Sequence, residues 1–288
     1  LKLSKAREIQ EQSMEITAEE QQRRELSPKS LELACQRLSE IGYVIFEQVL
    51  SFSFMEEVRE AFEANTSLPE GKEQRDHFLR GPFLDPRIID NPFALQVIEA
   101  AIGPKFFSSL PYGCNETRRE SRYWNNAEKQ WIHRDGGHMF PELGMALPVT
   151  RIVVNIPLID FTLENGCTEI WPGSHLIVDP VITPETEDEV LFRDYHVCSE
   201  ERGATLPSVR MVMPAGSVVV RDMRCWHRAM PNYTDQVRPM TAMIYFHRLH
   251  NVLGDQSAIE RRACGISDTV WRQLPERSQQ IYRFHPIN

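Results

Sequence analysis

His133 and Asp135 stand two apart in Trp131-Ile132-His133-Arg134-Asp135, a segment that reads as a strand, and His227 follows a second strand-like run, Gly216-Ser217-Val218-Val219-Val220. On a strand, side chains two apart share a face, so an inward His133 brings Asp135 inward with it and both can reach one ion. His227, offered from a facing strand, completes a face of two histidines and one carboxylate. Such a face leaves coordination positions open, as oxygen-activating non-haem Fe(II) requires. Arg238 lies eleven positions beyond His227 and heads the apolar run Thr241-Ala242-Met243-Ile244-Tyr245-Phe246. A guanidinium buried there needs an anion, because an unpaired buried charge is costly, and its fork of donors suits a carboxylate bidentately. A 2-oxoglutarate molecule chelating the iron through its keto acid would offer its distal carboxylate to that fork.

The His-x-Asp pair carries little weight alone. Nine histidines among 41 acidic residues produce such a pair by chance, and each histidine taken singly is as well explained as a polar core residue. The weight lies in the company of His227 and Arg238.

Those four residues need a scaffold of facing strands, and the sequence supplies one. Residues 31–41 carry Leu31, Leu33, Ala34 and Leu38 at helical spacing up to Gly42, after which Tyr43-Val44-Ile45-Phe46 reads as a buried strand. Further helices are predicted over 54–64 and 92–102. Beyond Phe106 the pattern becomes short β-type runs at 106–110, 121–124, 131–135, 150–156, 167–171, 217–221 and 241–247, separated by turn residues. That rhythm predicts a mainly β sandwich or barrel framed by helices. Residues 1–29 are rich in charge and read as a helix or loosely attached arm. The remainder, 30–288, is expected to be a single domain, with a lid at 179–210 and a helical tail over 268–282 interrupted by Pro275.

Composition narrows the function classes. A formal charge of −9 argues against a surface that tracks nucleic-acid phosphates. No run approaches the roughly 20 apolar residues of a membrane span, and the charged N-terminal stretch holds no signal-peptide core. The six cysteines include no CxxC pair, so neither a disulfide framework nor a thiolate zinc site is suggested. The expectation is a cytoplasmic protein acting on a small molecule, with no nucleic-acid or membrane partner and with a homodimer left open.

The order of motifs resembles one family. His133-x-Asp135 is followed by Asn165-Gly166-Cys167-Thr168-Glu169-Ile170-Trp171-Pro172-Gly173-Ser174-His175. Pro214-Ala215-Gly216-Ser217 then leads to His227, and Arg238 comes last. This resembles the phytanoyl-CoA dioxygenase family of Fe(II)/2-oxoglutarate-dependent oxygenases, in particular its natural-product branch. The resemblance spans about residues 31–247 and implies a double-stranded β-helix, the cupin-like jelly roll, with Fe(II), 2-oxoglutarate and O2 as cofactor and cosubstrates. Carried over by position, His133, Asp135 and His227 match the iron ligands and Arg238 the 2-oxoglutarate arginine. Gln130, Thr168 and Asn155 match positions that contact cosubstrate or substrate in some members, although each is equally placed to satisfy backbone. His175 reads as a structural hydrogen-bonder at the Pro172-Gly173 turn, and His138 as a loop residue. Trp171 stands where a smaller aliphatic is usual. Ala229 replaces a small hydroxyl residue, which shifts the expected clamp toward Arg238 with Tyr245 or another hydroxyl. Retention of Asp135, where halogenating relatives carry a small residue, favours hydroxylation-type oxidation.

The expected substrate is a small, largely apolar metabolite, because no Lys/Arg cluster lies near the motifs to receive a CoA thioester. An acyl-CoA hydroxylase and a non-oxygenase cupin-like metalloprotein are the competing readings, and the latter has no use for Arg238.

Overall fold

Every residue of Val218-Val219-Val220-Arg221-Asp222 is buried, and so are Tyr43, Val44, Ile45 and Phe46. A strand allows this only where both faces of its sheet are covered. The computed structural model of the chain describes residues 13–64, 81–108, 114–123, 127–178, 196–198, 200–250, 266–284 and 287, and it shows both covers. The strands are β1 (Ser13–Glu15), β2 (Tyr43–Glu47), β3 (Cys114–Thr117), β4 (His133–Arg134), β5 (Arg151–Pro157), β6 (Glu169–Ile170), β7 (His196–Val197), β8 (Val209–Arg210), β9 (Val218–Asp222), β10 (His227–Arg228) and β11 (Arg238–Phe246). The longer ones form a sheet in the order β1-β2-β9-β5-β11-β3, and the two-residue strands form a smaller sheet, β7-β4-β10-β6-β8. The result is the expected mainly β jelly roll framed by helices.

Strand parity sorts the side chains of the larger sheet. The register aligns Tyr43 with Arg221, Arg221 with Val153, and Val153 with Ile244; two residues along, Ile45 aligns with Val219, Val219 with Asn155, and Asn155 with Ala242. These residues share one face with Arg238 and its cross-strand neighbour Thr117. The alternate residues Val44, Phe46, Val218, Val220, Ile152, Val154, Ile156, Met243 and Tyr245 point the other way, into the main core.

Helices Pro28–Glu40, Phe52–Ala64 and Pro92–Ile102 contribute Ala34, Leu38, Met55, Val58, Phe62, Leu95 and Ile98 to that core. Two of them start where the sequence places a cap followed by proline: Ser27 Oγ accepts from Ser30 N–H and Asn91 Oδ1 from Ala94 N–H, each satisfying an otherwise orphaned donor. The opposite face of the sheet packs Tyr43, Ile45 and Val219 against Ile170 of the smaller sheet and Cys225 beside it. The space between the sheets is therefore where Arg221, Asn155 and Arg238 are found. Among the described residues no helix is long and apolar enough to cross a membrane.

Several expectations change. The predicted strand at 106–110 reduces to a single bridge between Phe107 and Phe246, with 109 and 110 outside the described residues. Residues 121–123 form no strand, because Ser121 closes a turn onto Arg118 through both its backbone and its hydroxyl. The edge strand is β3, whose Cys-Asn-Glu-Thr lacks the alternation that would have announced it. The expected N-terminal arm is not loose where it is described. β1 adds in parallel to β2, and the helix Ala18–Arg23 begins with a capping box between Thr17 and Glu20. In the expected lid, residues 179–195 and 199 lie outside the described residues, while the later part forms β7, the helix Glu200–Thr205 and β8 of the smaller sheet. The tail forms two short helices, Asp268–Trp271 and Glu276–Ile281, separated at Pro275.

Candidate metal and cosubstrate site

The two histidines are direct cross-strand neighbours. His133 on β4 pairs antiparallel with His227 on β10, and their ring centroids lie 4.4 Å apart. His227 thus comes from the adjacent strand of the same sheet rather than from a facing one. Asp135 sits at the bend just after β4, with Oδ1 3.7 Å from His133 Nε2 and 3.4 Å from His227 Nε2. One donor atom from each residue falls within 4.8 Å of the others.

Each imidazole is oriented by its second nitrogen. His133 Nδ1 lies 3.0 Å from Trp131 O and His227 Nδ1 lies 3.1 Å from Cys225 O. Nδ1–H donation to these carbonyls would leave each Nε2 with its lone pair toward Asp135, the arrangement that metal-ligating histidines adopt. Burial lowers the pKa of His133 to about 3, with the neighbouring His227 adding to the effect against Asp135. Burial would raise Asp135, but His227 and Arg221 outweigh it and hold the carboxyl well below its usual range. Two imidazoles that turn Nε2 toward one carboxylate match the ligand set of a ferrous facial triad.

The block from Asn165 to His175 builds the frame behind this cluster. Gly166 has φ of +77° and lies against the Met230 and Pro231 carbonyls, where a side chain has no room. Ser174 Oγ donates to Trp171 O at 2.6 Å and accepts from Trp226 N–H at 2.8 Å, which fixes the backbone immediately before His227. His175 Nε2 lies 2.9 Å from Ser39 O and Gly173 N–H donates to Ile41 O. His175 is therefore structural, but it anchors the block to the end of a helix rather than closing its own turn. Trp171 is accommodated by burial and donates through Nε1 to Gly203 O at 2.9 Å.

Arg238 opens β11, is only 4% exposed, and stacks over Phe161 at 4.4 Å from the ring centroid. Its Nη2 donates to Thr117 Oγ1 at 2.6 Å, and that hydroxyl lies 3.1 Å from Tyr123 Oη. Its Nε and Nη1 are buried without a partner among the described residues. Burial pulls its pKa down to about 10, so it remains a cation at neutral pH with two unsatisfied donors. A carboxylate is the group that would supply the missing counter-charge and accept from a free donor. Tyr245 cannot join this clamp. It lies on the opposite face, where its hydroxyl meets Tyr282 Oη at 3.4 Å and Ile89 O. The hydroxyl beside Arg238 is Thr117, which the sequence reading missed.

The remaining sequence candidates are placed as follows. Asn155 is buried on the inner face, with Nδ2 donating to Thr241 O at 3.3 Å. Gln130 Oε1 accepts from Ala229 N–H at 2.8 Å, joining the approaches to β4 and β10. Thr168 is half-buried and its carbonyl accepts from Met211 N–H. His138 is held through Nε2 to Ile177 O at 2.9 Å, outside the metal cluster. One further residue touching the cluster was not anticipated. Arg221 Nη2 donates to Asp135 Oδ2 at 2.7 Å, and its Nη1 lies 3.2 Å from His227 Nδ1.

Comparison with known proteins bears on the family and the fold. The profile of the family described as phytanoyl-CoA dioxygenase (PhyH) matches residues 38–240, a span that includes the three clustered residues and Arg238. Among solved structures, the epimerase SnoN in complex with Fe3+, alpha ketoglutarate and nogalamycin RO is 21% identical, with a TM-score of 0.55 over 76% of this chain and 84% of that one. The non-heme alpha ketoglutarate dependent carbocyclase SnoK from nogalamycin biosynthesis is 20% identical, with a TM-score of 0.50 over 77% of this chain and 84% of its own. Both share the fold.

Proposed function

We infer the reaction from one premise: the chain belongs to the phytanoyl-CoA dioxygenase (PhyH) family. It is an iron- and 2-oxoglutarate-dependent enzyme. In our reading His133 and His227, through Nε2, and Asp135, through Oδ1, hold the iron, and Arg238 receives the distal carboxylate of 2-oxoglutarate. Bound there, iron and 2-oxoglutarate would supply, with O2, an oxidant for an unreactive C–H bond, with succinate and CO2 released.

The chain's own part is positioning and exclusion. Trp131 O and Cys225 O hold the imidazole tautomers, Phe161 covers one side of the guanidinium, and Thr117 holds its Nη2. Tyr43, Ile45, Val219 and Ile170 supply apolar packing between the sheets. Gln130, Thr168 and Asn155 are assigned to the periphery of the cosubstrate site.

The substrate proposed is a small, largely apolar metabolite of secondary metabolism, encountered in the cytoplasm. Trp131, Met139, Phe140, Leu143 and Met145, all close in sequence to the metal strand, are exposed large apolar side chains, the kind of surface that receives an apolar ligand. Nearby arginines are engaged locally: Arg119 pairs with Asp235 and Arg122 with Glu128, which leaves little to hold the phosphates of a CoA thioester. Hydroxylation is the favoured outcome. The shared scaffold of an epimerase and a carbocyclase supports other fates of the substrate radical on the same frame.

The observation that carries the reading is Arg238, buried with two donors waiting for a ligand. A cupin-like hydrolase or isomerase has no need of it. Anaerobic addition of Fe(II) and 2-oxoglutarate should produce the weak visible charge-transfer band of the chelate, and Arg238→Ala should abolish it at limiting 2-oxoglutarate. No band from the wild-type protein, or an equal one from the variant, would overturn the assignment.

A further inference from the structure

The position of Arg221 answers a question that the three clustered residues leave open: what stops a carboxylate beside two histidines from turning both oxygens toward the ion, or from swinging away. Arg221 lies in the middle of the larger sheet, aligned with Val153 on β5 and Tyr43 on β2. It is 5% exposed. Its backbone therefore belongs to one sheet while its side chain crosses to the metal cluster of the other. The two oxygens of Asp135 are divided by this contact. Oδ2 accepts from Arg221 Nη2 at 2.7 Å, and Oδ1 faces both Nε2 atoms.

We propose that Arg221 is a positioning residue for the metal, holding Asp135 by Oδ2 so that Oδ1 alone is presented to the ion. The guanidinium takes up one lone-pair site of a carboxylate that could otherwise bind through both oxygens, and so preserves a coordination position for cosubstrate or O2. It also holds Asp135 in place before any metal arrives, so less ordering remains when the ion binds. A neutral residue at this position would leave a carboxylate free to rotate toward His133 or His227. The proposal rests on the assignment of His133, Asp135 and His227 as the metal-holding residues.

Cobalt(II), titrated anaerobically into the metal-free protein and followed by its visible spectrum, tests the proposal without turnover or 2-oxoglutarate. Arg221→Met should weaken Co(II) binding by about 10- to 100-fold, the range seen when groups behind metal ligands are removed, and should shift the spectrum toward higher coordination number. Arg221→Lys keeps the charge but offers only one point of contact. It should bind Co(II) about tenfold more weakly than wild type, which keeps the question answerable if the methionine variant does not fold. In an Asp135→Gly background, where there is no carboxylate to hold, exchanging Arg221 for Lys or Met should change Co(II) affinity little. Wild-type affinity and spectrum in folded Arg221→Lys and Arg221→Met would overturn the positioning role, as would an undiminished loss in the Asp135→Gly background. If instead the wild-type protein binds Co(II) no better than its Asp135→Gly variant, the metal assignment itself falls, and this proposal with it.

Discussion

Arg221 and Arg238 sit on the same face of the same sheet and are almost equally buried, yet they are treated in opposite ways. Arg221 reaches across to Asp135 and is satisfied by the chain. Arg238 is met by one hydroxyl and an aromatic ring, and two of its nitrogens find nothing among the described residues. Both carry the desolvation cost of a buried charge. In one case the compensation is built into the fold, and in the other it is left to a ligand. On the proposed function, the difference separates a residue that helps assemble the site from one that recognises what enters it, and no inspection of residue type alone would make that separation.

The largest effect expected from this contrast is on the ligand side. Arg238→Ala should weaken 2-oxoglutarate binding by about 100-fold or more, the consequence of truncating one partner of a buried charge pair, measured by anaerobic calorimetry with Fe(II) present. Stability of the metal-free protein should then separate the two arginines by sign. Arg221→Met strands the Asp135 carboxylate and should cost roughly 3 kcal/mol or more. Arg238→Met removes a charge that no carboxylate pairs among the described residues, and should leave stability unchanged or raise it by about 1 kcal/mol, both read from urea denaturation. Equal losses in the two variants would erase the distinction. With metal already present, addition of 2-oxoglutarate should raise the Tm of the wild type but not that of Arg238→Met, because only a ligand that binds the folded state stabilises it.

A smaller effect sharpens the same point. Thr117→Val removes the only hydrogen-bond acceptor found for Arg238 among the described residues, and should raise the Kd for 2-oxoglutarate about tenfold, in line with roughly 1.5 kcal/mol for a hydrogen bond to a charged group. The smallest concerns a buried charge far from the site. Glu20 accepts from Ser27 N–H at 2.8 Å and Thr17 N–H at 3.0 Å. Burial would raise its pKa, but hydrogen bonds from Ser30, Ser27 and Thr17 prevail and lower it to about 2 from 4.5. With the folded value depressed, its contribution to stability is fully present above pH 4.5 and is lost as pH falls from there toward 2. Glu20→Gln should therefore lower Tm at neutral pH and flatten the wild type's fall in Tm across that acid range. A parallel fall in both proteins would show that Glu20, unlike Arg221, is not satisfied by its partners.

The chemistry was more readable in the sequence than its geometry. His133, Asp135, His227 and Arg238 could be named because metal ligation and carboxylate binding demand specific residue types, and because their order along the chain is distinctive. The long apolar strands announced themselves by burial at every position. The same logic that drew attention to Arg238, a cation in an apolar strand, applies to Arg221 after Val218-Val219-Val220, yet a buried arginine does not reveal from sequence whether its anion is a ligand or an aspartate 86 positions away. Thr117 was hidden because β3 has no alternating pattern and gains its meaning only from pairing with β11. Tyr245 shows the opposite case: seven positions separate it from Arg238 in one uninterrupted strand, so parity alone places it on the far face.

The outer face of the larger sheet carries the helices and the main core, while the histidines ride on two-residue strands of the smaller sheet. One consequence concerns how such an enzyme changes its substrate. Residues 137–148, which run from the metal bend to β5, contribute no side chain that is buried in the main core. Variation there is decoupled from folding, so new pocket walls can be tried one after another on an intact frame. A mutational library confined to that segment should yield mostly folded, metal-competent proteins that differ in what they oxidise.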